Sequence, residues 1–139
     1  MIVYLDTSAI IKLLRREAET DALLTHLAQH TGHDLLTSAL ATVEVNRALK
    51  AIGAADAAEQ AVHRSDQVEF NGQTIPAVAM TTPVLDLART LPPTILRSLD
   101  AIHLATAVLA GDSLHHLISY DKRLIVAAGA AGIRTEAPT

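Results

Sequence analysis

Four acidic side chains of this 139-residue chain, Asp6, Glu44, Asp100 and Asp121, stand against apolar neighbours rather than in solvated stretches. Asp6 ends the run Ile2-Val3-Tyr4-Leu5, and Asp121 follows His116-Leu117-Ile118-Ser119-Tyr120. Glu44 has Leu40 and Ala41 one turn before it and Ala48 one turn after it. Asp100 opens a segment in which Leu99, Ala101, Ile102, Leu104 and Ala105 leave almost no polar face. Acids at the ends of buried elements, with no matching set of buried bases, repel one another if they converge. Two unit charges about 4 Å apart cost about 4 kcal/mol at an effective dielectric of about 20, and raised pKa values or a bound cation must relieve that cost. Oxygen ligands, with no cysteine and no paired histidines in view, favour Mg²⁺ or Mn²⁺ over zinc. Phosphodiester hydrolysis suits such a centre: one metal ion lowers the pKa of a bound water and a second stabilises the leaving oxygen. The hydroxyls of Thr7, Ser8 and Ser119 lie beside the acids in sequence, placed to orient a carboxylate or a metal-bound water.

Each acid also has an ordinary reading. Asp6 and Asp121 are helix N-caps by position, and Asp100, in a first turn, is favourable against the helix dipole. Glu44 has Arg47 at i+3 for a salt bridge. Glu17, Glu19, Asp21, Asp56, Glu59, Asp66 and Glu69 read as plain surface. Arg97, next to Asp100, reads either as a phosphate contact or as a structural arginine. His103, one turn beyond Asp100, reads as a packed histidine with a hydrogen-bonding partner, or as a group orienting that carboxylate. His26, His30 and His33, in or after an amphipathic helix, and His115-His116, before a strand, are poor catalytic candidates.

The elements that must position these residues follow from the hydrophobic pattern. Ile2 to Leu5 is a short β-branched run of the kind buried on both faces of a parallel sheet. Asp6-Thr7-Ser8 supplies capping residues for a helix from Ala9 to Arg16. A second helix is expected from Thr20 to His30, a strand from Asp34 to Thr37, and a helix from Ala39 to Ile52 ended by Gly53. Helical composition continues from Ala54 to His63. Gln67 to Val78 is the least clear stretch; its alternation before Asn71-Gly72 suits a strand or small hairpin. Pro83 begins a helix to Leu91 that Pro92-Pro93 stops. Ser98 to Ala110 forms an apolar helix with Gly111 at its end, His116 to Tyr120 a buried strand, Asp121 to Ala128 a helix and Ile133 to Thr135 a last short strand. Strands alternating with helices indicate an α/β domain with a mainly parallel sheet. Ligands of such sheets bind beyond the carboxyl ends of the strands, where Asp6 and Asp121 stand.

Composition bounds the rest. The length suits one domain spanning residues 1–139. Half the residues are hydrophobic and mean hydropathy is +0.28, which argues against disorder. The absence of cysteine excludes disulfides, thiolate nucleophiles and Cys-based zinc sites. The N-terminal apolar run is too short for a signal peptide or membrane span, so a soluble cytoplasmic protein is expected. A net charge of −4 disfavours a simple nucleic-acid-binding module, but not a nuclease in which divalent ions reverse the field of a carboxylate cluster.

Asp6-Thr7-Ser8 after a strand, Glu44 in a helix, Leu96-Arg97-Ser98-Leu99-Asp100-Ala101-Ile102-His103-Leu104-Ala105-Thr106-Ala107, and Ser119-Tyr120-Asp121 follow one another in a familiar order. In this the chain resembles the PIN domain, and within it the VapC-type toxins of bacterial and archaeal toxin–antitoxin pairs, over essentially its whole length. The segment around Asp100 is the most specific part of the resemblance. It implies a three-layer α/β/α fold with a parallel sheet, Mg²⁺- or Mn²⁺-dependent endoribonuclease activity, a homodimer and an antitoxin that blocks the active site. Carried over by position, Asp6, Glu44 and Asp100 match the family's core acids, and Asp121 its fourth, more variable one. The family often has Thr two residues before that acid; here Ser119 keeps a hydroxyl, and Asp112 is an outside candidate. Two rivals remain. A phosphatase using Asp6 as nucleophile would follow the haloacid-dehalogenase pattern if a second Asp stood at position 8, which is Ser8. A non-catalytic interaction domain would use the acids as caps. No Gly-rich phosphate loop supports nucleotide binding.

Overall fold

The computed structural model describes residues 1–139. Three parallel strands form its centre: β1 (Ile2–Leu5), β2 (Asp34–Ser38) and β5 (Leu114–Ile118). Val3, Tyr4 and Leu5 are fully buried, as strands covered on both faces require. The hairpin β3 (Gln67–Phe70) and β4 (Gln73–Val78) adds to β2 through β4, and β6 (Thr135–Glu136) adds to β5. The resulting strand order is β3-β4-β2-β1-β5-β6, with only the β3–β4 pair antiparallel. From β1 the chain goes first to one side of the sheet and later returns to the other. The switch point therefore lies at the carboxyl end of β1, where open α/β sheets place their sites.

Alternation along the strands sorts the helices into two layers. Val3, Leu5 and Ile118 face one way, against α1 (Thr7–Leu14), α2 (Thr20–Ala28), α3 (Ala39–Ala51) and α4 (Ala55–Ala61), which contribute Ile10, Leu23, Val45 and Ala58 to the core. Tyr4 and Leu117 face the other way and meet Ala107 of α6 (Ser98–Leu109). Leu104 of α6 packs there with Leu124, Ala127 and Ala128 of α7 (Lys122–Ala130), and α5 (Thr82–Ala88) lies beside α6. The three-layer α/β/α architecture expected from the sequence is the one observed. No helix is long and apolar enough to cross a membrane.

Differences from the sequence reading lie at element ends and in the hairpin. The unclear stretch forms a full hairpin, because Asn71 (φ +47°) and Gly72 (φ +73°) both take the left-handed conformation of a two-residue turn that matches strand twist. Gly53 (φ +80°) stops α3 as expected. The first helix begins at Thr7 rather than Ala9, since Asp6 itself is the N-cap. Strand β5 starts two residues early, at Leu114, and stops at Ile118. Just beyond it, the Ser119 hydroxyl turns to Asp6.

Candidate active site

Asp6 sits where β1 gives way to α1, and its carboxylate is held from three sides. Oδ1 accepts from the Ser8 hydroxyl at 2.6 Å and from the Ala9 backbone N–H at 3.0 Å, while Oδ2 accepts from the Ser119 hydroxyl at 2.6 Å. The capping reading is therefore correct as far as it goes. Yet Asp6 is only 4% exposed, far more buried than a cap needs to be. Burial pushes its carboxyl above the usual range, and the donors from Ser119, Ser8 and Ala9 offset only part of that. Ser8 and Ser119 are themselves fixed, as acceptors of the Tyr120 and Asp121 backbone N–H groups at 2.9 and 3.0 Å. The end of β5 is thereby stitched to the end of β1.

Glu44 reaches the same edge from α3. Its partner is not Arg47: Oε1 accepts from the Thr7 hydroxyl at 2.6 Å and from His103 Nε2 at 2.8 Å. A carboxylate only accepts, so His103 carries its proton on Nε2 and leaves Nδ1 to accept the Tyr4 O–H at 2.7 Å. Tyr4 is fully buried, and burial pushes its phenol well above its ordinary pKa, keeping it a donor. Burial also acts to raise Glu44, but the hydrogen bonds from His103 and Thr7 outweigh it and hold the carboxylate below its usual range. The relay Tyr4–His103–Glu44 is the feature of the candidate site that sequence reasoning missed. It identified His103 as a packed histidine with a partner, but the carboxylate oriented is Glu44, not the neighbouring Asp100. The available signal was a lone histidine on an otherwise apolar helix.

Asp100 and Asp121 share a cation. Arg97 Nε donates to Asp100 Oδ2 at 3.2 Å, and its Nη2 donates to Asp121 Oδ2 at 3.1 Å. Asp121 also caps α7, with Oδ1 accepting from the Arg123 and Leu124 backbone N–H groups. The side chains of Asp100, Asp121 and Glu44 are 15%, 24% and 25% exposed, so these acids open toward solvent while Asp6 forms the floor. Asp112, the outside candidate, lies in the single 3₁₀ turn before β5, at the amino ends of the strands and away from this edge.

All four acids of the sequence reading thus converge on one sheet edge. One network runs Asp6–Ser119–Asp121–Arg97–Asp100, and a second runs Tyr4–His103–Glu44–Thr7 from the residue next to Asp6. The expected crowding is milder than the sequence suggested. No three of the acids bring ligand oxygens within 4.8 Å of one another, because hydroxyls and the Arg97 guanidinium stand between them. The donor set still suits a hard divalent cation. It consists of carboxylate oxygens, of which Asp100 Oδ1 and Glu44 Oε2 make no hydrogen bond within the protein. Carboxylates this far apart suit a cation that keeps part of its shell as water.

A family model described as the PIN domain matches residues 3–130. Ribonuclease VapC46 of Mycobacterium tuberculosis is 43% identical over 139 residues, covering 99% of this chain and 98% of that protein. Ribonuclease VapC35 of the same species is 42% identical over 141 residues, with 99% and 97% covered, and Ribonuclease VapC47 is 37% identical over 139 residues, with 99% and 97% covered. Among solved structures, FitAcB from Neisseria gonorrhoeae is similar in fold, with a TM-score of 0.66 at 20% identity over 99% of this chain and 98% of that one. With a carboxylate-lined edge at the switch point of a three-layer sheet, and relatives of this closeness along nearly its full length, the chain belongs to the PIN-domain family, in its VapC ribonuclease group.

Proposed function

We propose that this chain is a Mg²⁺- or Mn²⁺-dependent endoribonuclease, the toxin of a toxin–antitoxin pair acting in the cytoplasm as one PIN unit over residues 1–139. The observation that supports it most is the gathering of Asp6, Glu44, Asp100 and Asp121 at one edge with a single guanidinium as their counter-charge. PIN ribonucleases generally depend on a divalent metal, and these acids are the residues that would hold it. Bound there, the ion supplies a water of lowered pKa and screens the charge that builds on the scissile phosphate.

The chain's own groups do the rest. Asp6, fixed by Ser8, Ser119 and Ala9, and Asp100 would hold the cation at the sheet edge. Glu44, kept ionised by His103 and Thr7, has Oε2 free of protein partners to position the water that attacks phosphorus and to take its proton. The new P–O bond forms as the bond to the leaving ribose oxygen breaks. Arg97, whose guanidinium now occupies the carboxylates as a cation would, is free to meet the phosphate once released from Asp100 and Asp121.

RNA recognition runs through backbone and shape. Of the three Tyr and Phe side chains, Tyr4 and Phe70 are buried, and the Tyr120 ring packs on the core with the Lys12 ammonium over its face, so none offers a free stacking platform. A homodimer has a candidate surface in Ile95 and Val126, which are 89% and 71% exposed beside Pro93 and Leu96. An antitoxin that blocks the acidic edge fits the family relationship. The test is cleavage of total cellular RNA with Mn²⁺, with chelator, and by Asp6→Asn. Cleavage only by the wild-type protein with metal supports the proposal; cleavage surviving chelator or the substitution ends it. A structured RNA should be cut where an unstructured oligomer of the same bases is not.

A further inference from the structure

At the opposite end of β5 from Asp121, five histidines distant in sequence come together. His26 on α2, His30 and His33 just after it, and His115 and His116 at the start of β5 form a contiguous stack, with ring centroids of neighbours 4.3 to 5.8 Å apart. Within it, His26, His30 and His116 each bring a ring nitrogen within 4.8 Å of the others. His116 and Ser119 are three residues apart, roughly 10 Å along an extended chain. His116 is on the α2 side of the sheet with Ile118, so this cluster shares no residue with the acidic edge.

One ring is held as a metal ligand is, and two others bring nitrogens face to face. His30 Nδ1 donates its proton to the His26 carbonyl at 2.8 Å, which turns the Nε2 lone pair outward; metal-bound histidines are oriented in this way. His26 Nε2 and His116 Nε2 point at each other 2.8 Å apart, a contact that one shared proton must hold together. His116 is anchored from behind, its Nδ1 against His115 Nδ1 at 2.7 Å. His33 Nδ1 is buried with no partner. We propose that His26, His30 and His116 form a second metal site, for a borderline transition-metal ion such as Zn²⁺, with water, His33 or His115 in the remaining position.

Imidazole is a ligand of choice for Zn²⁺, Cu²⁺ and Ni²⁺ and a poor one for Mg²⁺, so the two ends of the sheet differ in metal preference. Tetrahedral Zn–N bonds of about 2.0–2.1 Å place ligand nitrogens about 3.3 Å apart. The facing His26 and His116 nitrogens need to open by about half an ångström and their rings to turn so that both lone pairs meet an ion beside the N–N line, which displaces their shared proton. Burial and the neighbouring histidines hold His26 and His115 below their ordinary pKa and push His116 down to about 4. The other charged groups acting on the cluster are Arg134, Glu136, which pairs with Arg134, and the N-terminal amine. A metal here ties the end of α2 to the start of β5, clamping a helix to the central sheet.

Calorimetric titration of the metal-free protein with Zn²⁺, and of Co²⁺ followed by its visible spectrum, tests the site in wild type, His30→Gln, His26→Gln and Asp100→Asn. Wild type and Asp100→Asn should bind Zn²⁺ saturably and give tetrahedral Co²⁺ bands, while each histidine variant loses at least about tenfold in affinity. His26 and His30 are only half-buried, so their variants should fold, which circular dichroism verifies. Absent saturable binding in wild type, undiminished binding in both histidine variants, or loss in Asp100→Asn alone would each overturn the proposal.

Discussion

Replacing Tyr4 and His103 singly and together measures the relay that holds Glu44. His103 is 2% exposed, and its two ring nitrogens meet the Tyr4 hydroxyl at 2.7 Å and Glu44 Oε1 at 2.8 Å. His103→Leu removes a hydrogen bond to a charged group, about 1.5–3 kcal/mol, and leaves the buried Tyr4 hydroxyl without a partner, about 1–3 kcal/mol more. The expected destabilisation is about 3–5 kcal/mol, within reach of a domain stable by about 5–15 kcal/mol. Tyr4→Phe alone should cost about 1–2 kcal/mol, because it orphans Nδ1. In the His103→Leu background the same change should stabilise, because it deletes the orphaned hydroxyl rather than its partner. The coupling between the sites is then about 2–3 kcal/mol, read from urea unfolding midpoints at constant m-value. If Tyr4→Phe costs the same in both backgrounds, the two side chains act independently and the relay has no energetic content.

Arg97→Ala should tighten Mn²⁺ binding several-fold by removing the cation that occupies Asp100 and Asp121, yet raise the KM for RNA; weaker Mn²⁺ binding would show that Arg97 organises the acids instead. Ser119→Ala removes a donor to Asp6 and an acceptor of the Asp121 N–H, so a loss of about 1–3 kcal/mol in chemical denaturation is expected. The pH dependence follows from two carboxylates of opposite sign. Glu44 is held below its ordinary pKa, so its contribution to stability is complete above about pH 4.5 and lost as pH falls through the lower folded value. Asp6 is raised, so stability of the metal-free protein falls as pH rises through its folded value. Thermal melts across acid pH should therefore show the gap between wild type and Glu44→Gln closing as pH falls; a gap constant with pH would contradict the assignment.

Much of the architecture was legible because its signals are local. Ile2-Val3-Tyr4-Leu5 reads as a buried strand from four adjacent residues, Asn71-Gly72 as a hairpin turn from two, and Gly53 as a helix stop from one. The acidic edge was legible for a different reason: Asp6 and Asp121 sit at strand ends, and parallel topology brings such ends together. What was not legible depended on which faces meet. Glu44 and Arg47 are near neighbours on one helix, but the face of α3 that carries Glu44 turns to Thr7 and His103. The reading that no histidines are paired fails for the same reason, since only the packing of α2 over β5 brings His26 to His116 across 90 positions. Strand register, likewise, extended β5 back from His116 to Leu114 and His115, which lay before the expected strand.

The central claim is that the acids at the end of β1 and β5 together hold a divalent cation. Titration of Mn²⁺ into chelator-treated protein, followed by the electron paramagnetic resonance signal of the free ion, tests it most directly when wild type is compared with Asp100→Asn and His30→Gln. Wild type and His30→Gln should deplete the free-ion signal alike, and Asp100→Asn should lose at least about tenfold in affinity. Equal Mn²⁺ uptake by Asp100→Asn, or none by wild type, would leave the four carboxylates without the cation their convergence calls for.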